Sequence, residues 1–395
     1  MEETYEIKGA NRLDALRTFL GSLFETDNIG SILVPVQSET THAIMPTLVS
    51  DPAVLAMADP FAPCFPLNGA KLVSKLTKRP GDKTMAVVLR PCELRALVEL
   101  VKIKQARMDH LITISFDCPG AYSNKDFNRL PDRQESHTLE FLEKRLESGF
   151  QYHDHVQDQD QVQNQDQNQD QDKNEISLTT ACSICTSPFP ENADICITLV
   201  DQPADTLGLF ATTDRGRELL MGRTSSVKPL PKTRDESIKA VLAQNKDAEK
   251  KVFEALSSKT ATLEKLGIYL SACVNCYNCR VACPVCFCRE CVFNTDVFDY
   301  EPFQYATWAK NKGSLRMPMD TVFFHVTRMI HMGLSCVGCG QCSNACPNDI
   351  PLAELFVSVG KEAQKGFSYG AGKDLDEPFP LSIFFENEFQ DVTGI

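Results

Sequence analysis

At 395 residues and 43% hydrophobic content, the chain is long enough for two or three packed units, since domains usually run about 100–200 residues. Its net charge of −13 disfavours general binding to a phosphate backbone, so no nucleic-acid partner is expected. The N-terminus, MEETYEIKGANRLDALRTFLGSLFETD, opens acidic without a continuous apolar core, and no apolar run nears the roughly 18–20 residues that span a bilayer. The expectation is a cytoplasmic chain with no membrane span, in which 17 cysteines point to metal rather than to a disulfide framework.

Short β-branched runs open the chain: SILVPV (31–36), TMAVVL (84–89) and LITISF (111–116) read as buried parallel strands. Between the last two lies CELRALVELVKIKQARM, with Leu94, Leu97, Val98 and Val101 on one helical face. Strand, helix, strand makes a βαβ unit. The stretch HDHVQDQDQVQNQDQNQDQDKNE (153–175) is polar and of low complexity; it cannot offset the entropy of ordering and reads as a disordered loop. Deleting residues 156–172 is expected to leave folding and metal content intact, because loop length costs little. Soluble, metal-loaded protein recovered from the deletion variant is the check, and its loss would make the tract structural.

Beyond the tract come ICITLV (195–200) and LGLFATT (207–213), then Asp214 as the expected cap of RGRELLMG. Residues 1–230 therefore read as an α/β domain with a partly parallel sheet. The prolines and charges of VKPLPKTRDESIKAVLAQNKDAEKKVFEAL mark a boundary. Residues 231–395 read as mostly helical, with a cysteine-rich core at 271–352.

That core begins with SACVNCYNCRVACPVCFCRECVF, seven cysteines in 23 residues. Cys273, Cys276, Cys279 and Cys283 read C-x2-C-x2-C-x3-C-P, and so do Cys336, Cys339, Cys342 and Cys346. This is the spacing of bacterial two-cluster ferredoxins, in which three thiolates hold one [4Fe–4S] cluster and the fourth ligates the other. The expected sets are Cys273, Cys276, Cys279 with Cys346, and Cys336, Cys339, Cys342 with Cys283. Zinc, which usually takes paired C-x2-C arms, is the alternative. Cys286, Cys288 and Cys291 are one ligand short of a closed site of their own. The interval MPMDTVFFHVTRMIHMGL reads as a helix packed on this domain through Val322, Phe323, Val326, Met329 and Ile330, with His325 and His331 structural.

In the first domain, Cys92 and Cys118 each follow a strand, at the carboxyl edge where ligands of α/β sheets bind. Cys182 and Cys185 form a C-x2-C pair. Together they are thiolates enough for a third cluster. Spacing alone leaves open that they, like Cys64 and Cys196, are core thiols.

GDKTMAVVLRPCELRAL, ITISFDCPGAYS and CSICTSPFPENADI followed by LGLFATTDRGRELL resemble the beta subunits of coenzyme F420-reducing hydrogenases and formate dehydrogenases. The resemblance covers roughly residues 80–225 outside the polar tract. It implies an α/β core, one [4Fe–4S] cluster on Cys92, Cys118, Cys182 and Cys185, and a neighbouring flavin. The cysteine-rich half resembles the two-cluster ferredoxin modules attached to such subunits and to heterodisulfide-reductase-type proteins.

One departure concerns the flavin. The family's serine–glycine–glycine segment is replaced by RTFLGSLFETDNIGSILVP, with single glycines, and neither G-x-G-x-x-G nor G-x4-G-K-[ST] occurs. The expected cofactors are thus [4Fe–4S] clusters, with FAD open. The resemblance implies an electron-transfer subunit partnered by a catalytic oxidoreductase subunit and other iron–sulfur or flavin subunits. The alternatives are a flavin subunit exchanging hydride with F420 or NAD(P), and a zinc-binding scaffold.

Overall fold

A computed structural model describes residues 3–26, 28–79, 81–130, 134–150, 176–221, 227–229 and 232–382; the polar tract at 153–175 lies outside them. Eight strands among the described residues build one mixed sheet: β1 (Glu3–Lys8), β2 (Ile29–Gln37), β3 (Ile44–Val49), β4 (Thr84–Leu89), β5 (Leu111–Phe116), β6 (Ile195–Thr198), β7 (Thr206–Ala211) and β8 (Val227–Pro229). Their order is β3-β2-β4-β5-β6-β7-β1-β8. β2, β4, β5 and β6 run parallel, and the flanking pairs are antiparallel.

The helices of this part are α1 (Arg12–Leu23), α2 (Gly69–Leu76), α3 (Pro91–Lys102), α4 (Asn124–Arg129), α5 (Glu135–Glu147), α6 (Thr180–Ser183) and α7 (Asp214–Leu220). The expected strand–helix–strand unit is β4-α3-β5, whose two strands pair directly in parallel. α7 corrects one expectation: Thr213, not Asp214, is the cap, accepting from the Gly216 amide at 3.2 Å, while Asp214 occupies the first helical position.

Both faces of the central strands are covered, which is why they read as unbroken apolar runs. Ile32, Val34, Ala86 and Val88 face one way and pack on Leu13, Leu16, Phe19 and Leu20 of α1. Leu33, Val87 and Leu89 face the other, as the two-residue period requires, and pack on Leu94 and Leu97 of α3. Val285, Met332, Val337, Tyr369 and Ala371, from the cysteine-rich half, join this second cluster.

That half consists of α8 (Lys232–Thr260), α9 (Leu263–Tyr269), α10 (Asn278–Ala282), α11 (Pro302–Lys312), α12 (Thr321–Met332), α13 (Gln341–Asn344) and α14 (Leu352–Gly366), with irregular chain between. Polar ties join it to the sheet: Arg95 Nη2 donates to the Val337 carbonyl at 2.8 Å, and Gln341 Nε2 to that of Phe65 at 2.7 Å. No helix among the described residues is long and apolar enough to cross a membrane.

Asp59, 2% exposed, accepts from Thr138 Oγ1 at 2.6 Å through one oxygen, while the other has no hydrogen-bond partner. Burial pushes its carboxyl up to about 6. The folded chain therefore binds this proton more tightly than the unfolded one. The stabilisation is fully present below about pH 4 and is lost as pH rises through about 6. Asp59→Asn is expected to flatten that decline and to stabilise the protein at pH 7 by about 1–3 kcal/mol. Urea midpoints at pH 5 and pH 7.5 test this; an unchanged pH dependence in the variant would refute it.

Candidate metal centre

β4 ends at Leu89, and Pro91 opens α3, where its fixed φ suits the first helical position. Glu93 accepts from the Arg90 amide at 2.8 Å and the Gly69 amide at 2.5 Å, which clamps the starts of α3 and α2 together. Cys92 is thereby fixed at the sheet's carboxyl edge. One strand over, β5 leads into Asp117 and Cys118. Buried Asp117 accepts from the Leu199 amide at 3.0 Å and pairs with Arg234 Nη2 at 2.8 Å, fixing the loop from which Cys118 projects. α6 carries Cys182, and Asn245 Nδ2 donates to the Cys185 carbonyl at 2.7 Å.

Cys92, Cys118, Cys182 and Cys185, which come from three separate segments, line one cavity. Arg90, 5% exposed, lines it too. Its Nη1 lies 3.4 Å from Cys118 Sγ and donates to the Gly120 carbonyl at 3.0 Å, while Nη2 reaches the carbonyls of Ala62 and Cys64 at 2.7 and 3.1 Å.

A second cavity is lined by Cys283, Cys336, Cys339 and Cys342, together with Arg328, Met332 and Phe356. Cys283 thus meets cysteines of the later motif, more than fifty residues on. Gly338 and Gly340 turn this loop in left-handed conformations, at φ 69° and 74°. A Cβ on Gly340 would lie 2.6 Å from that of Ala181, beside Cys182. Gly338 and Cys339 line both cavities.

Cys273, Cys276, Cys279 and Cys346 form the third group. The Cys279 thiol feels the charges of the other three, and Cys273 those of Cys276 and Cys346. Cys276 is exposed, whereas Cys279 and Cys346 are buried. Cys273 Sγ accepts from the Asn275 amide at 3.4 Å and lies 3.4 Å from His325 Nε2. Burial pushes the imidazole of His325 down to about 4, so the ring is neutral.

Burial, reinforced by neighbouring cysteines, pushes Cys182, Cys279 and Cys336 up to about 11 and Cys339 up to about 12. Cys92 and Cys342 are raised well above the ordinary thiol value for the same reasons. Soft sulfur donors so buried become thiolates when a cation replaces the proton. Among the described residues, no three His, Cys, Asp or Glu side chains converge tightly enough for a single ion. The cysteines instead stand around cavities. Four soft sulfur donors lining one cavity, in two places, are a donor set of the kind that iron–sulfur groups take.

Cys286 packs beside Cys283, Cys291 packs against the Phe293 cluster, and Cys288 is exposed. Cys64 and Cys196 lie in hydrophobic clusters, and no disulfide forms among the 17 cysteines.

The α12 face differs from expectation. Phe323 and Ile330 are 54% and 74% exposed, and the buried face is Thr321, Phe324, His325, Arg328 and Met332. Hydropathy discards His and Arg, so it turned the helix the wrong way. Sequence reasoning also missed Arg90, although it directly precedes the Pro-Cys pair.

Residues 82–230 match the family model for the C terminus of the coenzyme F420 hydrogenase/dehydrogenase beta subunit. This segment is similar to the beta subunits of coenzyme F420 hydrogenases and dehydrogenases. It holds Cys92, Cys118, Cys182 and Cys185. Similarity to named relatives extends beyond the beta-subunit segment. The F420-dependent formate dehydrogenase subunit beta of Methanocaldococcus jannaschii is 25% identical over 364 residues, covering 90% of each chain. The F420-dependent formate dehydrogenase 1 subunit beta of Methanococcus maripaludis is 26% identical over 366 residues, covering 90% of this chain and 89% of that one. A chain in a structure of the F420-reducing [NiFe] hydrogenase complex from Methanosarcina barkeri aligns with 67% of this chain and 94% of its own length, at 12% identity and a TM-score of 0.43.

Proposed function

We propose that this chain is an iron–sulfur electron-transfer subunit of a multi-subunit cytoplasmic oxidoreductase of formate dehydrogenase or hydrogenase type. Its partner is a catalytic subunit. The observation that carries the reading is spatial: two cavities, each lined by all four cysteines of one expected set, share the wall Gly338–Cys339. The names of the two formate dehydrogenase relatives support the reaction class.

When bound, [4Fe–4S] clusters supply one-electron transfer. The chain's own residues hold, insulate and charge-balance them. Cys92, Cys118, Cys182 and Cys185 would hold one cluster, Cys283, Cys336, Cys339 and Cys342 a second, and Cys273, Cys276, Cys279 and Cys346 a third. Phe65, Val337 and Phe356 exclude water from the walls. Arg90 donates to one ligand sulfur, which favours the reduced state.

The test is iron, sulfide, zinc and flavin content after anaerobic reconstitution. About twelve iron atoms per chain are expected, four for each cluster. A plateau near eight would remove the cluster of the α/β domain, and dominant zinc would overturn the reading. Stoichiometric flavin released from native protein would turn it toward hydride exchange.

A further inference from the structure

The interval between the two ferredoxin-type motifs contributes more than packing. On α12, His325, Arg328 and Met332 recur at steps of three and four, which places them on one stripe of the helix. His325 stands beside Cys273, and Met332 lines the cavity of Cys283, Cys336, Cys339 and Cys342. Arg328 lies between them and is 4% exposed.

Its Nη2 donates to the Cys279 carbonyl at 3.1 Å, and the Phe356 and Phe324 rings lie 4.5 and 5.6 Å from its guanidinium carbon. Nε and Nη1 are buried and have no hydrogen-bond partner, while the side chain lines the second cavity. The cavity it lines is shared with Cys283, Cys336, Cys339 and Cys342. An uncompensated buried guanidinium is costly, and anionic neighbours remove that cost.

We propose that Arg328 is a positioning residue shared by two cysteine sets, Cys273/Cys276/Cys279/Cys346 and Cys283/Cys336/Cys339/Cys342. Its unpartnered N–H groups donate to the anionic groups those sets hold and raise their reduction potentials. This assignment rests on the iron–sulfur reading above. Reduction adds one electron and no atom to a cluster, so a fixed positive charge favours the reduced form, as hydrogen bonds to sulfur also do. Arg328 touches the chain of one set and the cavity of the other, so both should respond together.

The experiment compares wild type, Arg328→Gln and Arg328→Lys, each as the full chain reconstituted anaerobically. Iron and sulfide are counted, and the reduced clusters are followed by EPR during a dithionite titration. In fully loaded Arg328→Gln, the reduced-to-oxidised ratio of both sets at fixed potential is expected to fall about tenfold, equivalent to about 59 mV for a one-electron couple. The signal of the Cys92 set should not move, and Arg328→Lys should retain most of the wild-type potential. If only the lysine variant loads, a smaller shift confined to the same two sets supports the assignment, and no shift refutes it. Unmoved potentials in loaded Arg328→Gln overturn it. So does loss of iron from both variants with the circular dichroism unchanged, which would leave Arg328 a clamp on Phe356. A wild-type chain that takes up no iron removes the iron–sulfur reading itself, and this assignment with it.

Discussion

Cys283→Ser is expected to cost the protein about four of about twelve iron atoms, and the missing cluster should belong to Cys336, Cys339 and Cys342 rather than to its own motif. The cavity lining motivates this, since Cys283 faces the later three cysteines. Its neighbour Cys286 packs against the same hydrophobic cluster and is a thiol placed to compensate. A Cys283→Ser/Cys286→Ser double variant closes that route. EPR of the reduced proteins, read beside iron counts, decides the matter. Loss of the Cys273 signal with the Cys336 signal intact would mean that the two motifs do not exchange ligands.

Cys92→Ser should fail in a different place. Its sulfur shares a cavity with Cys118, Cys182 and Cys185, all from the α/β part, so again about four iron atoms should be lost. Both ferredoxin-type signals should survive that loss. Substitution of residues around a metal's ligands typically costs about 10–100-fold in affinity, and loss of a ligand costs more. A variant that keeps its full iron content and spectrum would make Cys92 an ordinary buried thiol. Electron transfer to a partner should stop in either cysteine variant while partner binding persists, because both positions lie in cavity walls.

Much of the sheet was legible because burial on both faces writes itself as continuous β-branched runs. TMAVVL and LITISF became β4 and β5 at the same residues. β1, β3 and β8 were not legible. ETYEIK is half charged, IMPTLV carries a proline and lacks a clean alternation, and β8 has three residues. Their pairing is decided by neighbours distant in sequence, such as Tyr5 opposite Leu209. The ferredoxin-type cysteines stood out because their spacing is local. The four-cysteine cavity of the α/β part did not, since its members converge only after folding. Arg90 and Arg328 were invisible for another reason: a buried arginine has the same letter as a surface one, and surface arginines are far commoner.

The wall made of Gly338 and Cys339 separates two cavities by one stretch of backbone, and Gly340 presses that stretch against Ala181. A shared hydrophobic cluster also ties the two parts of the chain together. Severed near residue 230, the first piece would bare Leu94 and Leu97, and the second Val285, Met332, Val337 and Tyr369. Each would also lose one side of a cysteine-lined cavity. A side chain at residue 340 would collide with Ala181, so substitutions at these two positions, one in each half, are coupled.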